Sequence, residues 1–190
     1  MRIFLDTEFI EDGRTIELIS IGMVDERDCA LHLCNAECDL SRANEWVSQN
    51  VLPHLPPDTG RGFELMGLNG LRVLQGWGTR KEIAEHVLAF VGGETPEFWG
   101  YYSDYDWVVL CQLFGAMSAL PKGWPMFCLD LKQLIHHSAF LDVALPKRVG
   151  PEHNALWDAV WVRLAAHVIK GCLETEHRSW LGLPLPGWRV

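Results

Sequence analysis

The sequence predicts an α/β protein built on a mixed five-stranded sheet, an antiparallel meander followed by parallel strands, with helices on both faces. Near the N-terminus, short apolar segments are separated by turn residues, which is typical of a meander of antiparallel strands. Further along, apolar segments of strand length alternate with stretches of helical periodicity, which indicates parallel strands joined by helices. Hydrophobic residues make up 48% of the 190 residues, which is enough for the core of a single domain over residues 1–190.

Strands are predicted where short apolar segments end at turn residues: 2–6, 15–24 and 30–33 for the meander, then 97–101 and 127–129. The Asp12-Gly13 dipeptide between the first two segments is strongly favoured in tight hairpin turns. This arrangement places Asp6 at the carboxyl end of the strand that begins the sheet.

Helices are predicted where apolar residues recur at helical spacing: 41–51, 79–91, 104–115, 131–137 and 153–170. The second is the clearest, because Thr79 and Glu82 match a capping box and Gly92 follows its last apolar residue. Together with the strands, these segments give the alternation on which the α/β class rests.

Two segments carry no regular pattern. Residues 58–78 are rich in glycine and are interpreted as a functional loop or a mobile flap, with a short helix as the alternative. Residues 171–190 follow the predicted end of the last helix at Gly171 and are expected to form an extended C-terminal arm. Trp180 and Trp188 in this arm either pack across a homodimer or fold back on their own domain.

The net charge of −9, from 16 basic and 25 acidic residues, argues against the basic surface by which most nucleic-acid-binding proteins are recognised. The chain has no run of apolar residues long enough to cross a bilayer, so no transmembrane helix is predicted. No signal peptide is predicted either, because Asp6 follows a very short apolar segment. We therefore expect a cytoplasmic protein without a membrane partner.

Cysteine and histidine supply one candidate zinc site. His32, Cys34 and Cys38 lie close together in the sequence, and they would support a zinc-stabilised interaction domain. Structural zinc sites usually need four ligands from two such clusters, and no second cluster follows along the chain. Packing of small buried thiols is the favoured interpretation.

Four acidic residues lie where packing alone does not favour a charge. Asp6 and Glu8 are two apart on a strand, so both carboxylates project from one face and repel unless a cation or a proton intervenes. Asp106 and Asp158 lie near the starts of two helices, where the helix dipole explains either acid alone but not the set. Such hard oxygen ligands select Mg²⁺ or Mn²⁺, and two such ions about 3.5–4 Å apart promote in-line phosphodiester displacement.

These acids stand in three motifs that resemble those of the DEDD 3′–5′ exonucleases. The matches are Asp6-Thr7-Glu8 for the first motif, Tyr105-Asp106 for the second, and His153 to Asp158 for the third in the His-x4-Asp form of the DEDDh subgroup. Each motif alone is weak, but the three in this order, over about residues 2–170, are specific. The resemblance implies an RNase H-like fold and one 3′–5′ exonuclease domain.

The resemblance also implies the roles of the site residues. Four carboxylates would hold two Mg²⁺ ions, with Mn²⁺ as a substitute: Asp6, Glu8, Asp106 and Asp158. His153 would be the general base that deprotonates the attacking water, since histidine titrates near neutral pH. A helix-capping or surface histidine is the alternative. The implied reaction is hydrolysis that releases nucleoside 5′-monophosphates.

A narrower resemblance is to the RNase AS group of small exoribonucleases, which trim adenylate-rich RNA 3′ ends. The Asp-Thr-Glu-Phe start and the run from Tyr105 to Leu113 carry it. It implies the 3′ end of single-stranded RNA as substrate and a homodimer as assembly. Thr7 is expected to make a backbone or sugar contact, and Phe9 is expected to stack on a base. Tyr105 is a further expected substrate contact, and Arg148 is expected to contact a phosphate. For Arg148 and its neighbour Lys147, a plain solvated pair is the alternative.

Two other functions stay open at this point. The first is a DNA-directed 3′–5′ proofreading or repair exonuclease with the same chemistry. The second is an inactive RNase H-like module that binds nucleic acid or protein, which would lack at least one motif residue, and none is lost here. One departure concerns Tyr101 and Tyr102, because many family members carry an asparagine shortly before the second-motif aspartate.

Overall fold

The computed structural model describes residues 1–137 and 145–180, with side chains described as far as residue 171. The strands are Arg2–Glu11 (β1), Ile16–Asp25 (β2), Cys29–Asn35 (β3), Phe63–Leu68 (β4), Leu71–Gly78 (β5), Glu97–Gly100 (β6) and Leu129–Asp130 (β7). In this part of the chain, seven strands form one sheet in the order β4-β5-β3-β2-β1-β6-β7. The pairs β1–β2, β2–β3 and β4–β5 are antiparallel, and the other three pairs are parallel.

The α/β class with a mixed sheet, a meander first and parallel strands later, is confirmed, and the arrangement is compatible with an α/β nuclease fold. The predicted count of five strands is wrong. The two additional strands, β4 and β5, form within the glycine-rich stretch 58–78.

β4 and β5 pair across a two-residue turn at Asn69 and Gly70, whose φ angles are 49° and 86°. Positive φ at both positions is the backbone of the tight hairpin turns that an Asn-Gly dipeptide favours. Leu71 and Val73 are both buried and belong to an alternation of buried and exposed side chains. The surrounding glycines make this alternation hard to detect in the sequence. The stretch is an edge hairpin of the sheet, which explains why neither the predicted loop nor the alternative short helix describes it.

Helices cover both faces of the sheet, as predicted. They are Glu45–Asn50 (α1), Arg80–Val91 (α2), Asp104–Leu113 (α3), Leu131–His137 (α4) and Ala155–Trp180 (α5), with 3₁₀ turns at Leu40–Arg42, Leu52–His54 and Met117–Ala119. α2 and α3 pack on the face that carries Ile3 and Leu5, and α4 and α5 pack on the opposite face, which carries Phe4. None of the helices in the described residues is long and apolar enough to cross a membrane.

α5 differs from its prediction at both ends. It begins at Ala155 rather than at His153, and it continues to Trp180. Gly171 does not end the helix, because it lacks the left-handed backbone with which glycine terminates helices. Residues 171–180 of the predicted extended arm are therefore helical, and residues 181–190, which include Trp188, lie outside the described residues.

Candidate active site

A cleft of about 550 Å³ opens beside the carboxyl-terminal half of β1, lined by that strand, α1, α3 and the start of α5. Eight of the nine side chains predicted for the site line it: Asp6, Thr7, Glu8, Phe9, Asp106, Arg148, His153 and Asp158. The ninth, Tyr105, lies outside the lining. The fold thus brings the three sequence motifs together at one place.

Asp6 and Glu8 project from the face of β1 that packs against α5, the face that also carries Phe4. On the neighbouring strand, Gly22 pairs with Asp6 and has no side chain. A Cβ at Gly22 would lie 2.1 Å from the backbone carbonyl of Ala155. Because glycine stands there, the first turn of α5 approaches the sheet directly beside the two carboxylates.

Thr7 projects from the opposite face of β1, toward α3. Its backbone N–H and its hydroxyl both donate hydrogen bonds to Oδ1 of Asp106, at 2.9 and 2.6 Å. Both residues are buried. Thr7 therefore orients the Asp106 carboxylate, a role that the sequence did not predict, and its contact with substrate stays a prediction.

The start of α3, which carries Asp106, is fixed by a carboxylate outside the three motifs, that of Asp130. Oδ2 of Asp130 accepts the backbone N–H of Ser103 at 2.7 Å and its hydroxyl at 3.1 Å. Oδ1 of the same carboxylate accepts the N–H of Gln133 at 2.8 Å. The available signal was its place at the carboxyl end of β7, next to the parallel strand β6, because such ends meet at one edge of a sheet.

The start of α5 holds His153 and Asp158 together. The backbone N–H of His153 donates to Oδ2 of Asp158 at 2.8 Å. His153 has a φ of 60°, a left-handed backbone that costs free energy in a non-glycine residue and persists where its surroundings impose it. Asn154 caps the helix, because its side-chain oxygen accepts the N–H of Trp157 at 3.2 Å.

Glu8, His153 and Asp158 form a group that could hold a metal ion. Each offers a ligand atom, and these atoms all lie within 4.8 Å of one another. Two carboxylates and an imidazole are ligands that divalent cations accept in proteins. The structure therefore adds His153 as a candidate ligand beside its predicted role as a base.

The carboxylates are electrostatically unfavourable as a set without a cation. Burial, with the charges of Asp106 and Glu8 added, raises the pKa of Asp6 well above its ordinary value. Burial, with the charge of Asp106, raises the pKa of Glu8 to about 8. Burial also raises the pKa of Asp106 to about 6, although the hydrogen bonds from Thr7 oppose the rise. A divalent cation among them would favour the ionised forms.

The candidate zinc residues do not come together as ligands in the described part of the chain. His32 and Cys34 are buried in β3. Burial lowers the pKa of His32 to about 4 and raises the pKa of the Cys34 thiol. A neutral imidazole and a neutral thiol in the sheet fit the packing interpretation.

Arg148 reaches the cluster of acids. Its Nη1 pairs with Oδ1 of Asp158 and its Nε lies 3.3 Å from Oε1 of Glu152. The guanidinium also lies over the ring of Trp161, 4.6 Å from its centroid. The predicted alternative of a plain solvated arginine does not describe these contacts.

Aromatic side chains surround the cleft. Phe9 stacks on Tyr105 with ring centroids 5.7 Å apart, so Tyr105 supports a lining residue without lining the cleft itself. Sequence reasoning missed Trp46, whose ring meets His153 edge-on at 4.8 Å. Nothing in the sequence around Trp46 distinguishes it from the other tryptophans.

Tyr101 and Tyr102 also line the cleft. They stand shortly before Asp106, in the region where many members of the DEDD exonuclease family carry an asparagine.

No protein-family model matches the chain. Two curated proteins do: the 3′–5′ exoribonucleases of Mycobacterium tuberculosis strains CDC 1551 and H37Rv. The chain is 41% identical to each over 162 residues, which is 84% of this chain and 87% of each relative. The alignment therefore covers more than two thirds of this chain and more than two thirds of each relative.

Proposed function

Because the chain belongs to the family of 3′–5′ exoribonucleases that these mycobacterial proteins represent, we propose that it hydrolyses single-stranded RNA from the 3′ end. The products are nucleoside 5′-monophosphates, and the catalytic residues follow the DEDDh pattern. The observation that carries this proposal is the meeting of all five motif residues in one cleft: Asp6, Glu8, Asp106, His153 and Asp158.

The donor set in the cleft suits hard divalent cations. Four carboxylates are the proposed ligands of two Mg²⁺ ions, for which Mn²⁺ can substitute: Asp6, Glu8, Asp106 and Asp158. The raised pKa values of Asp6 and Glu8 support this, since they reflect acids crowded together while buried. When bound, such ions acidify a water molecule and neutralise charge on the attacking and leaving oxygens.

His153 is the proposed general base. It lines the cleft, and its backbone N–H donates to Asp158 in the first turn of α5. The base is therefore tied to a carboxylate of that helix. Its ring contacts Trp46, which limits the orientations that the imidazole can take. The proton of the attacking water would pass to a ring nitrogen of His153.

The remaining lining supplies contacts for the 3′-terminal nucleotides. Phe9, supported by Tyr105, offers a face on which any base can stack. Arg148 is the proposed phosphate contact, because its guanidinium lies in the same lining as the acids. By the resemblance to RNase AS, adenylate-rich ends are the preferred substrate.

The test is product analysis on 5′-labelled oligonucleotides with Mg²⁺. We expect stepwise shortening with release of mononucleotides, abolished in Asp6→Ala and intact in Glu85→Ala, which removes an exposed acid on α2. His153→Ala should slow the reaction while metal binding persists, and loss of metal would make His153 a ligand instead. Full activity in Asp6→Ala would refute the site.

The same assay defines the substrate. RNA and DNA oligonucleotides of one sequence separate a ribonuclease from a DNA-directed enzyme, since the two differ at the 2′-hydroxyl. Homopolymer RNAs measure the adenylate preference. Binding of RNA without any hydrolysis in Mg²⁺ or Mn²⁺ would favour the inactive module over the proposed enzyme.

A further inference from the structure

Arg148 forms an ion pair with the carboxylate of Asp158, which is a proposed metal ligand. Its Nη1 pairs with Oδ1 of Asp158, and the other carboxylate oxygen accepts the N–H of His153 at 2.8 Å. Both oxygens of Asp158 are thus engaged. Asp158 is nevertheless a member of the group of Glu8, His153 and Asp158 that could hold a metal ion. A cation that binds through Oδ1 has to compete with the guanidinium.

The backbone on either side of Arg148 is anchored on α5. The carbonyl of Pro146 accepts the indole N–H of Trp161 at 2.9 Å. At Gly150, which has a φ of 93°, the ring of Trp157 fills the space of a side chain, since a Cβ there would lie 2.6 Å from it. The segment 146–150 is therefore held against the helix at two points. A change in the Asp158 contact falls on the long side chain of Arg148 rather than on its backbone.

The charge of Arg148 compensates the acids as a cation would. Its guanidinium pairs with Asp158 and lines the same cleft as Asp6 and Glu8, so a positive charge lies among these carboxylates. The side chain is 33% exposed, so it can leave Asp158 without crossing a packed core. Its guanidinium would remain in the cleft, where the substrate phosphates are proposed to bind.

We propose that Arg148 is an internal counter-cation, which pairs with Asp158 in the metal-free protein and is displaced by the divalent cation. Released, it faces the cleft and becomes available to a phosphate of the RNA. Metal binding is thereby coupled to phosphate binding, because the same guanidinium cannot serve Asp158 and the substrate together. This inference rests on the proposed function.

Isothermal titration of Mn²⁺ into the full chain tests the competition directly. Arg148→Ala should bind Mn²⁺ roughly tenfold more tightly than the wild type, the factor for about 1.4 kcal/mol of lost competition. Arg148→Lys should lie nearer the wild type, since it keeps the charge. Arg42→Ala is the matched control, because Arg42 pairs with Asp12 and Glu17 outside the cleft, and its affinity should not change.

Thermal unfolding provides a second, independent measurement. The rise in melting temperature between EDTA and Mn²⁺ should be larger for Arg148→Ala than for the wild type, because the metal-free variant has lost its counter-cation. Suppose that the wild type binds Mn²⁺ and cleaves RNA, and that Arg148→Ala folds but binds Mn²⁺ no more tightly. That result would overturn this inference and leave the proposed function standing. A wild type that binds no Mn²⁺ or Mg²⁺ would overturn both.

Discussion

Thr7 donates two hydrogen bonds to one oxygen of Asp106, from its backbone N–H at 2.9 Å and from its hydroxyl at 2.6 Å. The contact joins the middle of β1 to the first turn of α3 across a buried interface. Of the two oxygens of Asp106, Oδ1 is therefore committed to orientation. The residue between the two acids of the first motif is thus a structural support for the second motif.

Removal of the Thr7 hydroxyl tests this support. Thr7→Val keeps the shape and the backbone donor but loses one hydrogen bond to a buried carboxylate, so we expect about 1–3 kcal/mol less free energy of unfolding and a lower kcat. Thr7→Ser keeps the hydroxyl and should retain most of both. Urea unfolding and steady-state kinetics provide the measurements, and equal behaviour of the valine and serine variants would count against an orienting hydroxyl.

The stability of the metal-free protein should fall as the pH rises. The folded pKa of Glu8 is raised to about 8 and that of Asp106 to about 6, above the ordinary values that hold in the unfolded chain. Their stabilising contribution is complete below those ordinary values and is lost as the pH rises through the folded pKa values.

Urea unfolding in EDTA at about pH 5.5 and about pH 8.5 measures that loss. Glu8→Gln should reduce the difference between the two pH values, whereas Glu85→Gln, at an exposed position, should not. Saturating Mg²⁺ should restore stability at the higher pH. A metal-free protein that is more stable at the higher pH would contradict the expected sign.

Gly22→Ala should damage both the fold and the site. The added Cβ would meet the backbone of Ala155 at 2.1 Å, and backbone cannot move aside as a flexible side chain can. We expect a loss of about 1–3 kcal/mol or more, together with reduced activity, because the displaced helix carries Asp158. Gly67→Ala is the control, since nothing lies within 4 Å of that position; similar melting temperatures for both variants would disprove the close approach.

Tyr105 is expected to act on substrate through Phe9. Tyr105→Ala removes the stacked partner of Phe9 and should raise KM a fewfold, because an aromatic pair contributes about 0.5–1.5 kcal/mol, while kcat changes little. Val108→Ala trims another exposed side chain of the same helix and should leave KM unchanged. A fall in kcat alone would place Tyr105 in the chemistry instead.

Local periodicity predicted where the candidate residues lie, whereas their proposed roles came from the family resemblance. Asp6 and Glu8 share a face because strands repeat every two residues. Asp158 was expected near the start of the last helix and lies in the first turn of α5. The contact between Asp130 and Ser103 joins residues 27 positions apart. It depends on how β6 and β7 align, which no local pattern in this chain specifies.

The fold was predicted less completely where glycine weakens local patterns. β4 and β5 were missed because glycines interrupt their alternation, although the Asn69-Gly70 turn signal was present. α5 was predicted too short because Gly171 resembles a helix end, and only the tertiary backbone decides whether such a glycine turns left-handed. The pairing of Arg148 with Asp158 likewise depends on how segment 146–150 is anchored on the helix.

The alternation of Asp6, Thr7 and Glu8 along β1 makes catalysis sensitive to strand register. The two acids face α5 while Thr7 faces α3, and β1 pairs with β2 through a bulge between Glu8 and Phe9. A slip of one residue would turn the acids toward α3 and the threonine toward α5. Misaligned molecules would lose the proposed metal ligands and the support of Asp106 together. The specific activity of a preparation would therefore be proportional to the fraction of molecules in which β1 is paired in the native register.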